Sequence, residues 1–179
     1  MTKRKWIVFW DLQCPFSRAS WLKLSAIKQR FEADFDFSIQ VTSLLFHPQA
    51  FTAQCAASLI EAKKGAEAKL KFIDACFAHQ EKYMNSAIGD ARPSEVDIVF
   101  AEIAEHAGIF DLEQFTRQMF LSKLHDWEEA VKPAYNEHKI ALGYGVYGTP
   151  KHVIDEKIVA DTESSWGPDE WVEKLKSLK

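Results

Sequence analysis

The stretch from Trp10 to Arg18, WDLQCPFSR, stands between two patterns of different period, and its reading sets the fold. Before it, Trp6-Ile7-Val8-Phe9-Trp10-Asp11 is β-branched and aromatic, the composition of a central strand buried on both faces. After it, Pro15 suits the first turn of a helix, where its missing N–H is not needed. Trp21, Leu24, Ile27 and Phe31 then recur at near-helical spacing. The stretch is therefore a strand-to-helix turn, with the first helix expected from Pro15 to Phe31. Asp36 to Leu45 alternates through Phe37, Ile39 and Val41 and reads as a second strand. Strand, helix, strand in that order normally makes a parallel pair with a right-handed crossover, a βαβ unit ending near Leu45.

From Pro48 to Leu142 the pattern is helical almost throughout. Ser94 followed by Asp97 resembles a capping box, Val96, Val99, Ile103 and Ala107 line one face, and Gly108 stops it. Asp111 is expected to cap a short helix carrying Leu112, Phe115 and Met119. Ser122 is expected to open another, with Leu124, Trp127 and Val131, which Pro133 must kink or break. Beyond this block Lys151 to Ile154 and Lys157 to Ala160 read as two strands joined by an Asp155-Glu156 turn. Pro168 starts a last helix with Trp171, Val172, Leu175 and Leu178 inward, and Trp166-Gly167-Pro168 fastens its start. The order is βαβ, helical block, ββα. With no repeat, low-complexity tract or Gly/Ser linker, the block reads as an insertion packed on one sheet rather than an independent unit.

Composition narrows the function classes. The 179 residues suffice for one domain with a full core, and 47% apolar with 13% aromatic residues is a globular composition. A net charge of −4, with no basic cluster beyond Lys3-Arg4-Lys5, argues against nucleic acid as a partner. Apolar runs such as Trp6 to Trp10 are too short to span a bilayer, and the basic start lacks the apolar stretch of a signal peptide. A cytoplasmic, non-membrane protein is the expectation. Three widely spaced cysteines do not make a disulfide framework; they suggest a reducing compartment or one thiol kept for its reactivity.

That thiol is Cys14. At the start of a helix it faces unpaired backbone N–H groups and the positive end of the helix dipole, which favour thiolate over thiol. Taken alone, a Cys-Pro pair at such a place also reads as a small buried residue. The second relevant stretch is Gly145-Val146-Tyr147-Gly148-Thr149-Pro150-Lys151-His152-Val153-Ile154, GVYGTPKHVI, a glycine-flanked Thr-Pro leading into a strand. Proline is permitted at a strand's first residue, and a cis bond there would make a fixed bend.

Together, Asp11-x-x-Cys14-Pro15-x-Ser17 after the first strand and Gly145-Val146-x-Gly148-Thr149-Pro150 after a helical insertion resemble the DsbA-like branch of the thioredoxin superfamily. The resemblance spans essentially the whole chain. It implies an α/β thioredoxin-like fold formed by residues 1–45 and 145–179, with an inserted helical domain over residues 46–144. It also implies that Cys14 is the attacking thiol, with Thr149-Pro150 facing it as a cis-proline loop. Pro15, Phe16, Thr149 and Pro150 would then contact substrate, the backbone around Thr149 pairing with an extended chain. The departure is Ser17, which stands where the family pattern has a second cysteine that resolves the mixed disulfide. Ser17 is expected instead to donate a hydrogen bond toward the Cys14 thiolate.

Other candidates carry bland readings. Cys55 and Cys76 sit among alanines and apolar residues in helical segments and read as core. Gly143, Gly145 and Gly148 spell G-x-G-x-x-G, but the run follows a helix and enters a strand, the reverse of what a dinucleotide needs. Six histidines include no ligand spacing, so no metal is expected. His47, in LLFHPQAF, could approach the sheet end that holds Cys14 as a proton relay, but reads first as a loop histidine capping backbone. His152 reads as structural. Asp11 is expected to organise the turn through bonds to backbone N–H groups, while its charge opposes a thiolate nearby.

The leading expectation is a thiol-disulfide oxidoreductase working through one nucleophilic cysteine. An external thiol, with glutathione as co-substrate, acts as resolver, and no cofactor is tightly bound. Two alternatives remain. One is a glutathione transferase or isomerase similar to the kappa class, where the bound glutathione is the nucleophile. The other is a redox-inactive module that still grips extended peptide.

Overall fold

The computed structural model describes residues 2–178. β1 (Arg4–Trp10) leads into α1 (Pro15–Phe31), and β2 (Phe35–Val41) follows. β1 runs parallel to β2, from Arg4 opposite Phe35 to Trp10 opposite Val41. Its other side pairs antiparallel with β3 (Lys151–Ile154), which turns back into β4 (Lys157–Ile158), giving the order β2-β1-β3-β4. The turn residues Asp155 and Glu156 both have positive φ, at 46° and 67°, the left-handed pair that a two-residue hairpin needs.

Strand periodicity divides the core. Trp6, Val8 and Trp10 point to one face and join Leu24, Ile27 and Phe31 of α1 with Trp171 and Leu175 of α8 (Pro168–Ser177). Ile7 and Phe9 point to the other face, against Ala141, Val146 and Val153. Trp6 is wholly buried, with the rings of Phe35, Phe37 and Trp171 at centroid distances of 5.1, 4.9 and 4.6 Å. Truncating it to alanine would cost about 3–5 kcal/mol.

Between β2 and β3 run α2 (Ala50–Lys64), α3 (Ala66–Ala78), a 3₁₀ turn at Gln80–Lys82, α4 (Asn85–Ile88), α5 (Pro93–His106) and α6 (Arg117–Lys123). A π-helical turn, Trp127–Val131, then continues into α7 (Lys132–Gly143). This helical segment is fastened to the end of edge strand β2. Glu137 of α7 accepts the Val41 N–H at 2.8 Å, and Gln54 of α2 donates to the carbonyls of Val41 and Ala134 at 2.7 and 2.9 Å. Glu137 also accepts from Lys69 of α3 at 3.0 Å. Burial alone would lower the Lys69 pKa, but the carboxylates of Glu137 and Glu61 outweigh it and hold the ammonium above its ordinary value. A pair buried this deeply costs more to break than to build.

The helical segment departs from expectation in its caps. α5 starts at Pro93 rather than Ser94, and Glu95 folds back to accept the Arg92 N–H at 2.7 Å. Asp111 caps a turn, not a helix: its carboxylate accepts N–H groups from Glu113, Gln114 and Phe115, and the next helix opens at Thr116, whose hydroxyl accepts from Met119. Ser122 lies inside α6, and Asp126 caps the π turn instead. Pro133 breaks nothing, because it falls in the first turn of α7, where a missing N–H is tolerated. At the C-terminus Trp171 and Leu175 are buried as expected, whereas Leu178 lies past the helix and is exposed.

Candidate active site

Cys14 occupies the N-cap of α1, beyond the carboxyl end of central strand β1. Its backbone is extended, and its N–H returns to the Asp11 carbonyl at 3.1 Å. The sulfur lies 3.3 Å from the Thr149 carbonyl oxygen, and the Thr149–Pro150 peptide is cis. Two stretches 135 residues apart in sequence thus meet at one sulfur. Cys14 is 3% exposed, a narrow opening, while its neighbour Phe16 is 64% exposed. An open groove of about 360 Å³ runs past Phe16, Thr149 and Pro150 to the loop at Thr162 and Glu163. Two larger hollows, of about 530 and 500 Å³, lie between α1 and α3 and at the start of β1, away from this sulfur. The Thr149 hydroxyl is buried and makes no hydrogen bond within the described residues.

Ser17 is also buried, but not in the role expected of it. Its hydroxyl oxygen accepts the Asp11 backbone N–H at 3.3 Å, and the hydrogen bond of the Cys14 sulfur is made to Thr149 instead. Ser17 braces the turn from inside. Pro15 fills the first helical position beside it.

Asp11 organises the turn. One carboxylate oxygen accepts the Gln13 N–H at 2.8 Å; the other accepts the Leu44 N–H and meets the His47 Nδ1, both at 2.8 Å. Burial pushes the Asp11 carboxyl up, opposed by its hydrogen bonds to His47, Leu44 and Gln13. His47 therefore does not cap backbone; it pairs with a buried carboxylate in the Cys14 turn.

The residues that hold this turn from the helical segment carry no sequence motif. Gln80 donates to the carbonyls of Leu12 and Cys14 at 2.8 and 3.0 Å, and the Tyr83 hydroxyl lies 2.8 Å from the Leu12 carbonyl. Burial raises the Tyr83 pKa well above its ordinary value, so the hydroxyl stays protonated and serves as a donor. The Gln13 amide reaches Gln49, the Tyr83 carbonyl and Asn85 at 2.5, 3.2 and 2.9 Å. No periodicity signals such partners, because they stand 36 to 72 residues away in sequence.

The remaining candidates are structural. Cys55 and Cys76 are buried in α2 and α3, and burial pushes the Cys55 thiol up to about 12 and the Cys76 thiol well above its usual value. His152 accepts from Trp6 Nε1 at 3.1 Å and lies 4.4 Å from the Trp171 ring; burial drives its pKa down to about 3, so it is neutral. Gly145, at φ 71°, turns the chain out of α7 toward β3, with no phosphate-binding helix start after it. Among the described residues no cluster of His, Cys, Asp and Glu could hold a metal ion, and no helix is long and apolar enough to cross a membrane.

A cysteine at the N-cap of the first helix, facing a cis-proline loop, on a four-stranded sheet interrupted by a helical insertion, is the arrangement of the DsbA-like thioredoxin fold. Solved structures agree. A candidate protein-disulfide isomerase from Pseudomonas syringae superposes with a TM-score of 0.77 at 20% identity, over 96% of this chain and 93% of that one. BdbD from Bacillus subtilis gives 0.70 at 16% identity, over 97% and 86% of the two chains. DsbA2 from Pseudomonas aeruginosa gives 0.66 at 16% identity, over 99% and 90%. No protein-family profile and no curated protein sequence matches the chain. At such identities the likeness is one of fold.

Proposed function

We propose that this protein is a thiol-disulfide oxidoreductase acting through Cys14 alone, with an external thiol, glutathione, as resolver. The observation that carries this reading is the Cys14 sulfur at a helix N-cap, 3.3 Å from the carbonyl ahead of cis Pro150; the resemblance of Cys14-Pro15-x-Ser17 to the family's two-cysteine motif supports a single thiol. The thiolate attacks one sulfur of a disulfide, forms a mixed disulfide with it and expels the other sulfur as thiolate. A glutathione thiolate then attacks the sulfur bonded to Cys14, forms a new disulfide with it (oxidised glutathione when that sulfur is itself glutathione's) and expels Cys14 as thiolate. Electrons balance, because each exchange forms one S–S bond and breaks one. The internal dithiol route is closed, since the Ser17 hydroxyl cannot attack a disulfide.

The test is turnover of a peptide–glutathione mixed disulfide by reduced glutathione. Parent protein should accelerate it and Cys14→Ala should not. Saturable glutathione binding with activity that survives Cys14→Ala would support the transferase alternative. Peptide affinity without turnover would support the binding module.

A further inference from the structure

The exchange chemistry above makes no use of the Asp11–His47 pair, yet the pair is built into the turn that presents Cys14. Asp11 is wholly buried, and its backbone and side chain are committed: N–H to Ser17, carbonyl to the Cys14 N–H, one carboxylate oxygen to Gln13, the other to Leu44 and His47. The carboxylate is thereby fixed over the turn three residues before the sulfur. His47 is tethered as well, its N–H bonded to the Leu44 carbonyl at 3.0 Å and its ring edge-on to Phe46 at 4.7 Å. With Nδ1 on Asp11, the imidazole lines a hollow of about 310 Å³ shared with Ser43, Phe51 and His138.

A buried carboxylate opposes a second negative charge close by, and an imidazolium bonded to it removes that opposition. We propose that His47, acting through Asp11, is a positioning residue that sets the charge held in the Cys14 turn. With His47 protonated the pair is neutral and the turn accommodates a thiolate; with His47 neutral the Asp11 charge stands against it. This rests on Cys14 being the nucleophile.

The titratable groups that face the pair from packed elements are His138 of α7 and Tyr83. His138 is bonded to the Thr42 hydroxyl at 2.9 Å, and burial lowers its pKa. The Tyr83 hydroxyl is held on the Leu12 carbonyl. Neither touches the Asp11 carboxylate.

The experiment follows Cys14 alkylation by iodoacetamide from about pH 5 to 8, where histidine changes charge, in the parent, His47→Gln, Asp11→Asn, the double variant and His138→Gln. At the acid end His47→Gln should be slower by about tenfold, the change that accompanies ~1.4 kcal/mol of lost anion stabilisation. The two rates should converge toward the alkaline end. His47→Gln should have no effect in the Asp11→Asn background, and His138→Gln should retain the parent profile. Slowing by one factor at every pH, or persistence of the effect with Asn at position 11, overturns the inference. A parent whose Cys14 alkylates at no pH overturns the nucleophile reading instead. The reciprocal measurement leaves His47 unaltered: its imidazole, titrated by NMR, must respond to Cys14 ionisation, and identical curves in parent and Cys14→Ala overturn the inference.

Discussion

Gln80→Leu tests whether the helical segment controls the Cys14 turn. The substitution nearly keeps volume and removes two donors, to the Leu12 carbonyl at 2.8 Å and the Cys14 carbonyl at 3.0 Å. Cys14 keeps the Arg18 N–H at 3.1 Å, and Leu12 keeps the Tyr83 hydroxyl at 2.8 Å, whose single proton it shares with the Cys76 carbonyl at 2.9 Å. Each lost bond is therefore worth its net value, roughly 0.5–1.5 kcal/mol, or about 1–3 kcal/mol together. With a denaturant dependence of ~2 kcal/mol per molar, the urea midpoint should fall by about 1 M at unchanged slope. The remote control is Thr116→Ala, which strips the α6 cap from the Met119 N–H and costs about 1 kcal/mol. Cys14 alkylation should slow at least about threefold in Gln80→Leu, because misplacement of a reacting group costs rate steeply, and should be unaffected in Thr116→Ala. Equal Cys14 rates in the two variants would refute the claim that Gln80 positions the turn.

Three further outcomes are expected. Lys69→Met strands the buried Glu137 carboxylate and should cost about 3–5 kcal/mol by denaturation, less when combined with Glu137→Gln; additive losses would contradict the pairing. The unfolded chain takes a proton at His152 below about 6.5, whereas burial delays this to about 3 in the folded chain. The resulting stability is complete above that upper value and drains as pH falls, by up to ~1.4 kcal/mol per unit. His152→Gln should therefore flatten the acid branch of a stability-versus-pH curve, and unchanged slopes would show that His152 is not buried neutral. Ser17→Cys places a second thiol one helical turn from Cys14, within the roughly 5–6 Å Cα separation that a disulfide spans. An internal disulfide and a gain in insulin reduction are expected, leaving only Cys55 and Cys76 free; thiols that stay free at position 17 and Cys14 after oxidation would refute the geometry.

The elements around the opening stretch were legible because local pattern and tertiary position agree there. β1 is apolar on both faces since it runs between β2 and β3, and Pro15 and Phe31 bound α1 as the sequence indicates. The meeting of Cys14 with Thr149 came from two motifs in order and not from any spacing. In the helical segment, cap residues misled: Ser94, Asp111 and Ser122 all have the chemistry of caps, but Pro93, a turn and α6 claim those positions. Ser17 lies in the expected turn but with Asp11 rather than Cys14 as its partner, because a sequence does not show that the Asp11 N–H needs an acceptor. Gln80 and Tyr83 were invisible for the same reason. Their role is to satisfy carbonyls left free at the start of α1, a demand that exists only once the chain has folded.

The most direct test of the central claim is the site of glutathione attachment. Folded protein incubated with oxidised glutathione and digested for mass spectrometry should carry one adduct, on Cys14, and reduced glutathione should release it. Cys55 and Cys76, sealed in the helices with their thiols held protonated by burial, should remain free until the chain unfolds. An adduct on either of them, or none on Cys14, would contradict the account.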